Sequence, residues 1–177
     1  MKETVLLILG FVLINNYVLS SGLGLVPALG FASQRGRVLT LGLSVTGVTL
    51  IVSALLWLLR GLIPAYLQIL AAVVLALAVL YLLQLALGRK LGVFLPLIAL
   101  NSVVLGLSLN LAAAETIGAV LLSALAAGLG FLLVLFLFAG IDRRIESEHL
   151  PRAFRGFPIR LLAAAIVALA LTAFSFQ

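Results

Sequence analysis

The sequence predicts an all-α integral membrane protein with six transmembrane helices, arranged as two inverted three-helix repeats. Of its 177 residues, 65% are hydrophobic and 9% are charged, whereas soluble domains carry about 25% charged residues. The segments 9–25 and 95–111 also resemble each other. We therefore expect a single membrane domain over residues 1–177, with the first repeat at about 1–88 and the second at about 89–177.

Six apolar segments approach the length of about 20 residues that a bilayer crossing requires. Interfacial anchoring by Trp57 and Arg60 is expected at the end of the second segment. We expect the first segment to be a retained span and not a cleaved signal, because Asn15 and Asn16 interrupt it. The expected bounds are Val5–Gly24, Val38–Leu59, Tyr66–Gly88, Gly92–Ala113, Ile117–Gly140 and Leu161–Phe176.

The first and fourth segments are expected to be broken helices. The fourth contains Pro96, Asn101 and several other polar or helix-weakening residues. Hydrocarbon cannot satisfy such polar groups, and proline removes a backbone donor. Aligning Asn15 with Asn101 brings five pairs of identical apolar residues into register without gaps, at an offset of 86 residues. Because this offset is close to half the chain, it indicates a duplicated unit.

The distribution of Lys and Arg predicts the orientation. With six spans, Lys2 and Arg60 lie on the side of the two termini, and the other nine basic residues lie on the opposite side. The positive-inside rule then places both termini outside and the loops after the first, third and fifth spans in the cytoplasm. Three spans per half make the two repeats inverted in topology. The nine residues are Arg35, Arg37, Arg89, Lys90, Arg143, Arg144, Arg152, Arg155 and Arg160.

Several kinds of site are excluded by composition. The chain has no cysteine, so alone it forms no disulfide, thiolate zinc site or cysteine-ligated iron–sulfur cluster. Its one histidine, His149, lies in a polar loop, and we expect no metal site. No ionisable residue lies deep in a predicted span, which argues against a self-sufficient ion pump. The net charge of +6 follows from topology and does not indicate nucleic-acid binding.

Polar residues near mid-span are the candidate functional residues. Asn15, Asn16 and Asn101 have two interpretations: hydrogen bonds between helices, or a midplane site where broken helices turn their ends toward an ion, cofactor or partner. Gln84 in the third segment is expected to pack or hydrogen-bond, with lining of a path as the alternative. No catalytic residue is expected, since no phosphate-loop or hydrolase motif is present.

Four blocks carry a resemblance to a known family. In chain order they resemble the A-type membrane subunit of the Rnf complexes, and they are similar to its relatives in the sodium-pumping NADH:quinone oxidoreductase. The resemblance implies a membrane subunit of an ion-translocating electron-transport complex. It also implies an inverted pair with a homologous E-type subunit, together with other Rnf-like subunits in the lipid bilayer. The blocks are LINNYVL (13–19), LGLVPALG (23–30), GVFLPLIALNSVVLG (92–106) and PRAFRG (151–156).

The resemblance also implies a cofactor site that this chain has altered. In the family, each of the paired subunits gives two cysteines to one intramembrane [2Fe–2S] cluster. The corresponding positions here are Val26, next to Pro27, and Ser102, and a family carboxylate is replaced by Gln84. We therefore expect this chain to bind no cofactor alone. The alternatives are a cluster-free transporter or channel on the same inverted repeat, and a variant that keeps the fold without a redox role.

Overall fold

The computed structural model describes residues 16–32, 38–87, 98, 101–145 and 150–172, and all regular structure in this part of the chain is helical. Short 3-10 helices, Ala65–Leu67 and Arg152–Phe154, precede the fourth and the last α-helix. Within the described residues the α-helices are α1 (Tyr17–Ser21), α2 (Leu25–Ala32), α3 (Val38–Leu59), α4 (Gln68–Leu87), α5 (Ser102–Ala112), α6 (Ile117–Arg144) and α7 (Phe157–Thr172).

Three helical stretches are long and apolar enough to cross a membrane: Val38–Leu59, Ala65–Leu85 and Ile117–Arg144. They correspond to the second, third and fifth predicted segments, and α5 and α7 are shorter apolar helices. The all-helical prediction is thereby confirmed. The six-span arrangement as inverted repeats stays a prediction, since the first and fourth segments continue into residues outside the described ranges.

The helix bounds differ from prediction at one end of the bundle. Helix α6 continues past Gly140 to Arg144, and α7 begins at Phe157 instead of Leu161. An ion pair of 2.6 Å between Arg160 Nε and Asp142 Oδ1 joins the two helices near these ends. Pro158 does not prevent this earlier start, because first-turn residues need no intrahelical donor. The polar stretch between the last two helices is consequently shorter than predicted.

The core lies around α3, which packs most extensively against α6 and also contacts α5 and α4. Two glycines allow this close approach. A Cβ atom built at Gly42 would collide with the side chain of Leu132, and one at Gly128 would lie 2.8 Å from the Thr46 Cβ atom. Small residues at such crossings let helix backbones approach in a membrane. The α3–α6 pair therefore forms the scaffold of the molecule.

Helix α4 lies at the periphery. Only 22% of its most apolar window is buried, and its small residues Ala72 and Ala76 face the other helices. The opposite face exposes large apolar side chains, among them Leu70, Val74 and Leu77. Since hydrocarbon is as apolar as leucine, lipid can cover this face without a protein partner.

The predicted anchor pair Trp57 and Arg60 also closes the C-terminal end of α5. Trp57 Nε1 donates to the Ala114 carbonyl oxygen at 2.8 Å, and Arg60 Nη1 donates to the same oxygen at 2.5 Å and to the Ala112 oxygen at 3.3 Å. The guanidinium lies 4.6 Å from the Trp57 ring centroid. Terminal helix carbonyls lack intrahelical partners and favour a nearby cation. This contact fixes the end of α5 against the end of α3.

We predict that Gly128→Ala destabilises the protein by about 1–3 kcal/mol, because the new methyl group would overpack the interface against Thr46. Gly47→Ala is the matched control, since a Cβ atom at Gly47 on α3 meets nothing within 4 Å and alanine favours helix. The measurement is the thermal unfolding midpoint in detergent. Equal midpoints for the two variants would contradict the described α3–α6 contact.

Candidate functional site at two interrupted helices

The first interruption separates α1 from α2. Gly22 and Gly24 there have φ angles of +68° and +75°, a left-handed conformation that glycine adopts without the steric cost other residues bear. Asn16 precedes α1: its Oδ1 accepts a hydrogen bond from the Val18 N–H at 3.0 Å, and its Nδ2 donates to the Gly130 carbonyl oxygen on α6 at 3.1 Å. The start of α1 is thus capped and tied to the scaffold.

The second interruption lies at Asn101. This residue is extended (φ −65°, ψ 121°) and caps α5, its Oδ1 accepting from the Val103 N–H at 3.0 Å. Helix α5 has 11 residues and therefore a length of about 16 Å, ending at the level of Trp57 and Arg60. Because the hydrocarbon core is about 30 Å thick, Asn101 lies near its middle if that anchor pair marks the interface.

The two interruptions meet at Gly24. Its N–H donates to Ser102 Oγ at 2.7 Å. A Cβ atom at Gly24 would lie 2.6 Å from Val103 Cγ2, 2.7 Å from Asn101 Oδ1 and 3.3 Å from the Phe131 ring. Position 24 therefore requires glycine for two reasons: its φ angle is left-handed, and α5 approaches it closely. The Ser102 hydroxyl is committed to the backbone of the other interrupted helix.

Asn16 and Asn101 perform the same capping role, and both are buried, with 1% and 0% of their surface exposed. Their Nδ2 groups differ. That of Asn16 reaches Gly130, whereas that of Asn101 has no hydrogen-bond acceptor among the described residues. By capping role, the counterpart of Asn101 is Asn16, one position away from the Asn15 that the sequence alignment pairs with it. Asn15 lies outside the described residues.

The remaining predicted residues are distributed around this junction. Val26 has 65% of its surface exposed, and Pro27 is half-buried in the first turn of α2. Gln84 is half-buried on α4 and takes part in none of the contacts above. Pro96 lies outside the described residues. The structure therefore brings Asn101 and Ser102 together at Gly24, two residues before Val26 in the chain, while Asn16 caps α1 against α6.

Two residues that make contacts between helices were not predicted from the sequence. Gly24 was overlooked as a contact residue, although two glycines separated by one residue at 22 and 24 signal an irregular backbone. Ser53 on α3 was also missed; its Oγ lies 3.1 Å from Ser108 Oγ on α5, and Ser108 Oγ donates to the Val104 carbonyl oxygen at 2.6 Å. From sequence alone, a single serine in an apolar helix that bonds to another helix looks the same as one whose hydroxyl bonds to its own helix backbone.

The chemistry available at the junction is that of amide and hydroxyl groups. In the described ranges, no group of three or more His, Cys, Asp or Glu residues is arranged to hold a metal ion. Amides and hydroxyls satisfy interrupted backbone without introducing a charge into the hydrocarbon. The junction is therefore built to hold two helices together in an irregular conformation.

Comparison with known proteins identifies the family. A family model described as "Rnf-Nqr subunit, membrane protein" matches residues 4–177. The chain belongs to the Rnf-Nqr subunit family. The A-type subunit of the ion-translocating oxidoreductase complex of Syntrophotalea carbinolica is 37% identical over 188 residues, covering 99% of this chain and 97% of that protein.

Other relatives of this Rnf-Nqr protein show similar levels of identity. The A-type subunit of the Na(+)-translocating ferredoxin:NAD(+) oxidoreductase complex of Acetobacterium woodii is 35% identical over 184 residues, covering 97% of this chain and 96% of that protein. The A-type subunit of the ion-translocating oxidoreductase complex of Rhodobacter capsulatus is 33% identical over 188 residues, covering 99% of this chain and 97% of that protein. The resemblance inferred from the four sequence blocks is thereby confirmed over nearly the whole chain.

The residues of this Rnf-Nqr protein do not fit a thiolate-ligated [2Fe–2S] cluster. Val26 has no atom that ligates iron, and the Ser102 Oγ accepts the Gly24 N–H hydrogen bond at 2.7 Å. The Gly24 N–H that binds Ser102 Oγ lies two residues before Val26, whose side chain has 65% of its surface exposed. Ser102 therefore serves a hydrogen bond between the interrupted helices, and Val26 offers no ligand atom.

We predict that Gly24→Ala lowers the thermal unfolding midpoint more than Gly22→Ala does. Both substitutions place a methyl group on a left-handed residue, at a cost of about 1–2 kcal/mol. Only the methyl group at Gly24 also displaces Val103 and Asn101, since nothing lies within 4 Å of a Cβ atom at Gly22. Midpoints in detergent measure the difference, and equal losses would show that α5 does not pack against Gly24.

Proposed function

We propose that this chain is the A-type membrane subunit of an Rnf-type complex that couples electron transfer to ion translocation. It forms an inverted pair with a homologous E-type partner and assembles with the other proteins of the complex. It crosses the bacterial inner membrane six times, with both termini in the periplasm. The observation that carries this proposal is its identity of 33–37% to A-type subunits of such complexes over nearly the full length of both chains.

Two features of the molecule support the subunit role. The junction of Gly24, Asn101 and Ser102 lies about one half-bilayer from the end of α5, at the depth where a mid-membrane path between two subunits would pass. Val26 presents an exposed apolar side chain beside it. The junction itself is filled, since the Asn101 side chain is fully buried and Gly24 has no room for a methyl group. A partner subunit would therefore contact the face of α2 at Val26.

We further propose that this chain contributes no ligand to a metal cluster in that complex. Ser102 serves as a hydrogen-bond acceptor that joins the interrupted helices, and Val26 serves as an apolar contact. This proposal draws on the 2.7 Å hydrogen bond to Gly24 and on the lack of cysteine anywhere in the sequence. Electron transfer in the complex would then depend on groups held by other subunits.

The test is purification of the full-length chain from native membranes in mild detergent, with mass spectrometry and iron analysis of the same fraction. We predict co-elution with a homologous membrane protein and with flavin- and iron–sulfur-containing subunits. Recovery of the chain alone or as a homodimer would overturn the proposed role in a complex and favour the transporter alternative.

The same preparation tests the role of Ser102. We predict that Ser102→Ala leaves the iron content per complex unchanged while lowering the unfolding midpoint, because a buried hydrogen bond contributes about 0.5–1.5 kcal/mol. Ser44→Ala is the control, since the Ser44 hydroxyl bonds only locally to the Thr40 carbonyl oxygen. Loss of iron in Ser102→Ala but not in Ser44→Ala would show that the hydroxyl ligates metal.

A further inference from the structure

The connection between α6 and α7 contains a compact turn that displays aromatic rings. The Arg155 Nε donates to the Leu150 carbonyl oxygen at 3.0 Å, and the Phe154 N–H donates to the Pro151 oxygen at 2.9 Å. Gly156, with φ +84°, then redirects the chain into α7. Every residue from 151 to 158 is exposed. The turn is thus held by its own hydrogen bonds, without burial in the bundle.

The turn carries two exposed aromatic rings. Phe154 and Phe157 each have 49% of their surface exposed. The turn connects the ends of two apolar helices, so it lies at the level where hydrocarbon gives way to headgroups. Phenylalanine rings at that level bury into the boundary between headgroups and acyl chains and anchor the chain there. In water the same exposure would be unfavourable. The position of these rings points to a membrane surface.

Basic side chains surround the rings. Arg152 is exposed on the turn, and Arg143 and Arg144 are exposed in the last turn of α6. In the part of the chain that the structure describes, none of these three pairs with a carboxylate, whereas Arg160 pairs with Asp142 at 2.6 Å. That ion pair holds the start of α7 against the end of α6. It brings the two groups of arginines to the same end of the bundle.

We propose that Arg143, Arg144, Arg152, Phe154 and Phe157 form a basic–aromatic surface that binds the headgroups of anionic phospholipids. The guanidinium groups pair with headgroup phosphates, which they can contact through two parallel hydrogen bonds. The two phenylalanine rings enter the acyl boundary beside them. The same residues thereby fix the depth of the α6 and α7 ends in the bilayer.

Charge and depth together favour lipid as the occupant of this surface. A juxtamembrane basic cluster is attracted to an anionic leaflet by a factor of about five in affinity for each arginine. An acidic protein would satisfy the charge, but it would leave the two rings at headgroup depth without a hydrocarbon contact. An anionic phospholipid satisfies both parts of the surface, since its phosphate pairs with the arginines and its acyl chains contact the phenylalanine rings.

The test uses the full-length chain in detergent, titrated with phosphatidylglycerol or phosphatidylcholine of the same acyl chains, with bound lipid counted by native mass spectrometry. We predict that the wild-type chain prefers phosphatidylglycerol. The double variant Arg144→Gln/Arg152→Gln should lose this preference by about 25-fold, and Arg152→Lys should keep most of it, since the charge remains. Phe154→Ala should weaken retention of both lipids, because it removes a ring that enters the acyl boundary.

Thermal unfolding midpoints identify any variant that fails to fold. If the double variant fails to fold, the lipid preference of the single variants Arg144→Gln and Arg152→Lys is compared with that of the wild-type chain. Equal retention of both lipids by the wild-type chain would overturn the proposal. So would a double variant that keeps its preference for phosphatidylglycerol. A double variant that keeps this preference but no longer co-purifies with other subunits would assign the surface to a protein partner instead.

Discussion

The hydrogen bond from the Gly24 N–H to Ser102 Oγ is the contact on which this arrangement depends. An interrupted helix leaves backbone donors without partners, and hydrocarbon offers none in their place. Here a hydroxyl on one interrupted helix satisfies an amide of the other at 2.7 Å. The caps from Asn16 and Asn101 satisfy further donors at the helix starts. The two irregular segments therefore stabilise each other.

The contact between the two irregular segments relies on the packing of α6, α3 and α5 around it. The junction needs a rigid wall, which α6 provides through the Gly130 carbonyl oxygen and the fully buried Phe131 ring. Helix α6 in turn approaches α3 closely because Gly128 and Gly42 carry no side chain. Helix α5 is fixed at its far end by Trp57 and Arg60. The chain thus keeps two helix breaks in contact through amide and hydroxyl groups, without any ionisable side chain among Gly24, Asn101 and Ser102.

Regular structure could be predicted from the sequence wherever apolar length alone decides it. The bounds of Val38–Leu59 agree with the structure at both ends, because Arg37 and Arg60 bracket a mainly apolar run without charged residues. The ion pair that joins α7 to α6 could not be predicted, since Arg160 and Asp142 lie on different helices and no local pattern pairs them. At the junction, composition identified Asn101 and Ser102 as unusual. Their contact with Gly24 is tertiary, and no local pattern encodes it.

The most direct test of the account is an intramolecular cross-link between the two interrupted helices. The natural chain has no cysteine, so the pair Leu23→Cys/Gly106→Cys introduces the only thiols. Leu23 Cδ1 lies 3.0 Å from a Cβ atom built at Gly106, so the two positions are in side-chain contact and within the span of a short bifunctional thiol reagent. We predict an intramolecular cross-link by such a reagent in native membranes, and none in the matched variants that carry only Leu23→Cys or only Gly106→Cys. A Leu23–Gly106 cysteine pair that stays unlinked would contradict the account, because the two breaks would then not lie together.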